Sequence, residues 1–208
     1  RNASDLDAID LDLPVADITV AESLLEGAAL GGYQFNRYKS DAKASRLKSV
    51  RLVSALTISK ARLERILVLA AAVNLTRDLV NTPANDFYPE LAAKLASKQA
   101  ADTEVSVKVW DEKQLAKEGC GGMVGVGQGS ARPPRLVRLS YTPKKPLAKL
   151  ALVGKGICFD TGGHNLKPAR YMAGMHEDMA GAAVALSVIR AAAQLKLPVR
   201  IDAWLALS

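Results

Sequence analysis

The chain has 208 residues, of which 49% are hydrophobic and 24% are charged, which is typical of a globular protein with a substantial core. Its net charge is +7, but the lysines and arginines are scattered and are not interleaved with aromatic residues, which argues against a nucleic-acid partner. The longest apolar run, residues 66–73, is far shorter than the roughly 20 residues that a membrane-spanning helix needs. The acidic amino end lacks the order of a signal peptide, and Cys120 and Cys158 lack CxxC spacing, so we expect a cytoplasmic protein with reduced thiols.

The amino-terminal part of the chain carries few regular patterns. Residues 22–30 predict a short helix that ends at a glycine pair, residues 33–38 alternate weakly, and residues 47–56 predict a strand. The longest helical pattern covers residues 59–79 and stops before Pro83, which cannot continue a helical hydrogen-bond ladder. We therefore place a boundary between residues 57 and 58.

The remainder of the chain alternates strands and helices. A helix is predicted after Asn85 or Asp86 as its cap, with Pro89 in its first turn, and it runs to about residue 100. Two more helices and four strands follow, the strands at residues 105–110, 135–141, 149–159 and 199–207 and the helices at 111–118 and 179–195. The last strand–helix–strand unit implies two parallel strands. We therefore predict an α/β fold with a mixed, partly parallel sheet flanked by helices, incomplete at its carboxyl end.

A glycine-rich run at residues 119–134 resembles a phosphate cradle only superficially. It lacks the GxGxxG spacing, a following helix and a GK[ST] motif, and Pro133 and Pro134 come soon after it. The run therefore does not predict a nucleotide site.

Residues 150–183 carry most of the chemically interesting side chains. An apolar strand pattern holds Lys155 between two glycines, and Asp160 follows at the end of that pattern. A polar loop with Lys167 comes next, and Asp178 stands where a helical pattern begins. Charged lysines are rare in buried strands because desolvation disfavours the charge, so Lys155 either reaches out to solvent or serves as a neutral base or ligand. The two nearby carboxylates make a metal site one interpretation, and a solvated strand-to-helix loop is the other.

The motifs VGKGICFDTGG and NLKPARYMAGMHEDMAGAA closely resemble the catalytic region of the leucine (cytosol) aminopeptidase family, whose members are two-metal exopeptidases. Lys155, Asp160, Lys167 and Asp178 stand on four of the family's motif positions with the spacing kept. The likeness covers roughly residues 25–208 and includes VGQGS, a turn near the site in the family. It implies that residues 1–57 are a remnant of an amino-terminal domain and linker, and that residues 58–208 are the first part of a metallopeptidase catalytic domain.

The same resemblance implies the chemistry. The protein would be a metal-dependent aminopeptidase that releases amino-terminal residues from peptides, with water activated by two divalent ions. Lys155, Asp160 and Asp178 would hold one ion, and Asp160 would bridge to the second. The ions would be Zn²⁺ or Mn²⁺, with Mg²⁺ as a further candidate. Lys167 would be the catalytic lysine that stabilises the oxyanion of the tetrahedral intermediate.

Some features depart from the family pattern. His164 stands where the family usually has a small apolar or hydroxyl residue, and we expect neither His164 nor His176 to be a ligand. Glu177 is expected to be exposed. The family's NTDAEGR-like motif, which supplies further site residues, is absent from the 208 residues.

We therefore expect three partners: a peptide substrate, a missing carboxyl-terminal segment that completes the site, and further copies in a homo-oligomer, a hexamer by resemblance. The alternative is a truncated, non-catalytic relative that acts as a structural or assembly protein.

Overall fold

The computed structural model describes residues 6–41 and 47–208, and the chain divides into two compact units, Arg1–Asn74 and Leu75–Ser208. The first five residues of the acidic amino end lie outside the described residues. The first unit contains a two-stranded parallel sheet and one complete helix, and a second helix begins in it; these elements are β1 (Ala8–Asp12), α1 (Ile18–Gly31), β2 (Ser49–Val53) and α2 (Lys60–Asn81).

The first unit differs from the sequence prediction in four ways. Helix α1 begins four residues early, because the Asp17 side chain accepts hydrogen bonds from the backbone N–H groups of Thr19 and Val20 and so caps it. Residues 33–38 form no strand, and β2 is shorter than predicted. Strand β1 was not predicted, although its sequence AIDLD alternates apolar and acidic residues; aspartate is disfavoured in strands.

The second unit is built on a four-stranded sheet in the order β3–β4–β6–β5. Its strands are β3 (Val105–Trp110), β4 (Arg135–Tyr141), β5 (Ala148–Gly156) and β6 (Val199–Leu207). Strand β4 pairs antiparallel with β3 and β6, whereas β5 and β6 run parallel. The predicted α/β class with a mixed, partly parallel sheet is confirmed.

Six helical segments accompany this sheet: α3 (Pro89–Ala100), α4 (Glu112–Lys117), α5 (Gly121–Gly127), α6 (Ala169–Met172), a 3₁₀ turn (Met175–Glu177) and α7 (Ala180–Gln194). The predicted cap of α3 was wrong: Tyr88 and not Asn85 or Asp86 precedes the helix, and it makes no side-chain cap hydrogen bond. Helix α5 replaces the first part of the turn that the resemblance implies at VGQGS, and only Gln128 and Gly129 turn the chain after it. Among the described residues, no helix is both long and apolar enough to cross a membrane.

One face of the sheet, called the inner face here, packs against α3 and α7. Val137, Leu139 and Ala203 on this face have no exposed surface. Strand β5 and α7 approach almost to backbone contact, since a Cβ built on Gly154 would lie 2.5 Å from the carbonyl oxygen of Gly181. This close approach holds the start of α7 beside the carboxyl end of β5, where the candidate site lies.

The opposite face, called the outer face here, carries charged and aromatic side chains in cross-strand register. Asp202 accepts hydrogen bonds from the Ser140 hydroxyl at 2.5 Å and from the Arg138 guanidinium at 2.8 Å. Trp110 and Trp204 stack with their ring centroids 5.7 Å apart. The outer face is therefore organised by ion pairs and ring contacts and not by close apolar packing.

Candidate functional site

Lys155 is the penultimate residue of β5, the last strand of the sheet order, and lies opposite Ala206 of β6. Its side chain is 58% exposed, and its Nζ atom lies 2.6 Å from Oδ2 of Asp178. The prediction of a buried strand around Lys155 was wrong. In the described residues β5 pairs with β6 alone, at the edge of the sheet, and most of its residues are exposed. The Lys155 side chain reaches outward and has a carboxylate as its partner.

Asp178 lies between the 3₁₀ turn and the first residue of α7, where the β5–α7 contact fixes the chain. Its Oδ2 atom is buried, and no donor in the described parts of the chain makes a hydrogen bond to it. The Lys155 contact at 2.6 Å is thus an ion pair whose angles do not form a hydrogen bond. A buried carboxylate oxygen without a hydrogen bond is costly unless a cation balances it, and here the Lys155 amine lies within ion-pair distance.

Asp160 lies four residues beyond the end of β5. The predicted strand extended to residue 159, but the structure ends β5 at Gly156, although the N–H of Cys158 still donates to the carbonyl of Ser208 at 2.8 Å. Oδ1 of Asp160 accepts a hydrogen bond from the Gly162 N–H at 2.8 Å, and Oδ2 lies 2.8 Å from Nζ of Lys167. The Lys167 contact first and the Gly162 N–H second lower the pKa of Asp160, which keeps its carboxylate charged.

Lys167 closes the loop that begins at Asp160. Its backbone N–H donates to the carbonyl of Thr161 at 2.9 Å, and its Nζ atom lies 2.9 Å from the sulfur of Met175. Gly162 makes this closure possible, because it has φ +92° and a Cβ there would lie 2.4 Å from the carbonyl oxygen of Asn165. The loop therefore places an ammonium group directly beside a carboxylate.

The four predicted side chains form two ion pairs, Lys155 with Asp178 and Lys167 with Asp160. The charge of Lys155 also contributes to the lowered pKa of Asp160, so both pairs belong to one electrostatic neighbourhood. Within the described ranges, no three His, Cys, Asp or Glu side chains converge as a metal cluster. The chain thus brings two carboxylates and two amines together.

The histidines and Glu177 lie around this neighbourhood. His164 is exposed and lines a cavity, His176 is half-buried in the 3₁₀ turn, and Glu177 is exposed as expected. The two predicted free thiols are present, and burial raises the pKa of the Cys158 thiol to about 12, so this cysteine is not a reactive nucleophile.

A cavity of about 830 Å³ adjoins Asp160. Its lining includes the loop from Asp160 to His164, the turn after α5, and two residues that the sequence prediction missed, Tyr88 and Arg132. The Arg132 guanidinium lies over the Tyr88 ring, 3.9 Å from its centroid. The only available signal for them was the nearby glycine-rich run, because their contact joins segments that are distant in the sequence.

Comparison with known proteins identifies the class of fold and site. The description "Cytosol aminopeptidase family, catalytic domain" matches residues 74–208, and the chain belongs to this family. A "Probable cytosol aminopeptidase" from Leifsonia xyli subsp. xyli is 55% identical over 148 residues, which are 71% of this chain and 30% of that protein. One from Micrococcus luteus is 53% identical over 146 residues, covering 70% and 29% of the two chains. The chain therefore spans about 30% of the length of the curated relatives it matches.

Solved structures show the same fold. The bottromycin maturation enzyme BotP, in complex with Mn, superposes with a TM-score of 0.86 at 35% identity, covering 97% of this chain and 44% of BotP. The cytosol aminopeptidase from Coxiella burnetii has a TM-score of 0.84 at 32% identity, covering 95% and 42% of the two chains. These likenesses indicate peptidase activity for the family to which this chain belongs.

Proposed function

We propose that this chain contributes the first part of the active site of a two-metal aminopeptidase. Lys155, Asp160 and Asp178 are its metal ligands, and Lys167 is its catalytic lysine. The observation that carries the proposal is the buried Oδ2 atom of Asp178, which accepts no hydrogen bond in the described chain and lies 2.6 Å from the Lys155 amine. Such an oxygen beside a basic nitrogen is suited to a divalent cation.

The donor set fits such a cation. Carboxylate oxygens are hard ligands for Zn²⁺, Mn²⁺ or Mg²⁺, and an amine can join them when its lone pair is free. The presence of Mn in the BotP complex supports Mn²⁺ as one candidate. Divalent ions bound here would supply Lewis-acid activation of the peptide carbonyl and of the attacking water.

The residues of this chain then have separate tasks. Asp178 and Lys155 balance each other's charge, and both would hold a divalent cation if the amine released its proton to solvent. Asp160 is kept ionised by Lys167 and Gly162 and is ready to accept a cation. Lys167 carries three N–H donors but has two contacts, Asp160 and the Met175 sulfur, which leaves one donor for the oxyanion of the substrate.

The whole protein's properties follow as proposals from the family. The substrate is a peptide with a free amino terminus, and the remaining ligands come from a further segment of the kind that the longer relatives contain. Assembly into a homo-oligomer, a hexamer in the family, and a cytoplasmic location belong to the same proposal.

The proposal is tested in the complete product of the gene, with activity on an aminoacyl amide and metal content measured on the same samples. Lys167→Ala should lower kcat by about 10²–10³-fold, the loss seen when one oxyanion donor is removed, with metal content unchanged. Asp178→Asn should lose bound metal. Lys145→Ala, an exposed lysine, serves as the control. Metal loss from Lys167→Ala but not from Asp178→Asn would show that the roles are wrongly assigned.

Expression of residues 1–208 alone tests whether the site needs residues from a further segment. With only two carboxylates in the described neighbourhood, residues 1–208 should bind at most one divalent ion, weakly, and should not hydrolyse dipeptides. Rapid hydrolysis by this piece would show that its own residues complete the site. A complete product that binds metal without hydrolysing any aminoacyl amide would favour the structural or assembly role.

A further inference from the structure

The lining of the cavity beside Asp160 includes a positively charged side chain, Arg132, that belongs to neither of the two ion pairs. Four segments line the cavity: the start of α3 with the residues before it, α5 with the turn after it, the loop after β5, and Ser208 directly after β6. Its volume of about 830 Å³ is within the usual range of sites for small molecules. Asp160 and Arg132 both line it, so a single bound molecule can meet the proposed metal site and a guanidinium at once.

Arg132 is held in place without being neutralised. Its guanidinium lies over the Tyr88 ring at 3.9 Å, a stacking contact that leaves its in-plane N–H donors free. In the described residues it forms no salt bridge. Its charge contributes to the lowered pKa of Glu90, which is already bonded to Lys94 at 2.5 Å. Arg132 is therefore a positioned, unpaired cation at the wall of the cavity.

The glycine-rich run next to it does not turn the cavity into a phosphate cradle. Gly125 and Gly127 belong to α5, which commits local backbone groups to helical bonding, and Gly127 packs against Pro134. Gly125 and Val126 of the helix line the cavity, as do residues 128–130 after it. The planar, forked guanidinium is the main anion-binding group, and it matches the geometry of a carboxylate.

We propose that Arg132, positioned by Tyr88, binds the carboxylate of a short peptide substrate whose amino end lies at the metal site. This inference rests on the proposed function and adds a substrate class: di- and tripeptides with a free carboxyl terminus are preferred over their amides. The carboxylate can come from the peptide terminus or from an acidic side chain, and the substrates below distinguish these two sources.

The test compares Arg132→Gln with the unchanged complete protein on four substrates: leucyl-leucine, its carboxamide, leucyl-glutamate amide and leucyl-glutamine amide. The ratio of kcat/KM for leucyl-leucine over its carboxamide should fall about five- to tenfold, the range for an exposed charge-assisted hydrogen bond. A fall confined to the glutamate-over-glutamine ratio would show that the carboxylate is a side chain. If neither ratio changes, the proposal is overturned.

Tyr88 provides a second, independent variant. Tyr88→Phe keeps the aromatic ring and should keep the preference, whereas Tyr88→Leu removes the surface on which Arg132 stacks and should reduce the preference in the same direction as Arg132→Gln. Arg170→Gln is the matched control, because Arg170 also stacks on a tyrosine, Tyr171, but lies outside the cavity lining. If Arg170→Gln reduced the preference for the free acid equally, that preference could not be assigned to Arg132.

Binding measurements separate this inference from the proposed function. In the Lys167→Ala protein, in which turnover should be slowed about 10²–10³-fold, calorimetry with leucyl-leucine and its carboxamide gives the ratio of their Kd values. That ratio should favour the free acid by about five- to tenfold and should approach one after Arg132→Gln. If the protein does not hydrolyse peptides but the ratio of Kd values is kept, the peptidase assignment alone is rejected. If hydrolysis is kept but the ratio is close to one, the carboxylate-binding role of Arg132 alone is rejected.

Discussion

The two faces of the four-stranded sheet are formed by the same strands but pack against different partners. On the inner face, Leu139 and Ala203 are fully buried under α3 and α7, and Gly154 nearly touches the backbone of α7. On the outer face, Asp202 is held by Ser140 and by arginine, and stacked tryptophans cover part of the surface. The inner face therefore depends on shape and the outer face on charge and ring contacts.

This difference explains where a site can form. The inner face leaves no room for a ligand, and the outer face has its carboxylate saturated with hydrogen bonds. The candidate site lies instead at the carboxyl end of β5, where Lys155 extends outward and the chain leaves the sheet for the loop of Asp160 and Lys167. The carboxyl ends of parallel strands are the usual place for sites in open α/β sheets.

The largest effect is expected at the inner face. In Gly154→Ala the added methyl would lie 2.5 Å from the Gly181 carbonyl oxygen and 2.6 Å from the Ala182 Cα, so β5 and α7 must separate. We expect a loss of about 3 kcal/mol in the free energy of unfolding, measured by urea denaturation. Gly121→Ala, where nothing lies within 4 Å of the new methyl, should change stability little. Equal losses for both variants would contradict the near-contact of β5 and α7.

A glycine of the site loop, outside both faces, should give an intermediate effect. Gly162→Ala combines φ +92° with a clash at the Asn165 carbonyl, and we expect a loss of about 2 kcal/mol together with weaker binding of divalent ions. Gly163→Ala is the matched control, because its φ is +68° but its methyl meets nothing within 4 Å. Urea midpoints and a Mn²⁺ titration measure the two quantities. If the Mn²⁺ affinity of Gly162→Ala were unchanged, the conformation of this loop would have no role in binding divalent ions.

The contribution of the outer face to the free energy of unfolding should depend on pH. The Ser140 hydroxyl first, and Arg138 and Arg200 as well, lower the pKa of Asp202 in the folded protein. Its contribution to stability is therefore complete above the unfolded pKa of about 3.9 and is lost as the pH falls through the lower folded value. We expect Asp202→Asn to cost about 1 kcal/mol at pH 7 and much less near pH 2, measured by urea unfolding at both values.

Ser140→Ala provides the control for this pH dependence. It removes the donor with the largest effect but keeps the carboxylate, so part of the stability difference between pH 7 and pH 2 should disappear. A constant cost of Asp202→Asn across the whole pH range would show that Asp202 acts through packing and not through its charge.

The smallest effect is expected from a single cation–π contact on the outer face. Lys108 Nζ lies 4.1 Å from the centroid of a Trp110 ring, and Lys108→Met should lower the free energy of unfolding by about 0.5 kcal/mol, the usual value for an exposed contact. Lys113→Met, an exposed lysine on α4, is the control for loss of charge alone. An equal change in the urea midpoint of both variants would leave no role for the ring.

Much of the fold was predictable because it depends on local patterns. The alternation in Val105–Trp110, Arg135–Tyr141 and Val199–Leu207 gave strands with the observed bounds. The errors in the prediction also have physical causes. Helix α5 is rich in glycine, which disfavours helices, so its existence depends on its surroundings. The cap of α3 was misplaced because Asn85 and Asp86 are good capping residues that the chain does not use for that purpose.

The sequence alone determined the alternation of strands and helices, the parallel pair β5–β6, and the four motif residues with their spacing, because each depends on residues near one another in the chain. Tertiary structure decided which amine faces which carboxylate, how far Lys155 reaches into solvent, and that Arg132 stacks on Tyr88 beside Asp160. These features depend on strand register and on the close approach of Gly154 to α7. Such contacts join segments far apart in the sequence, where no local periodicity carries the information.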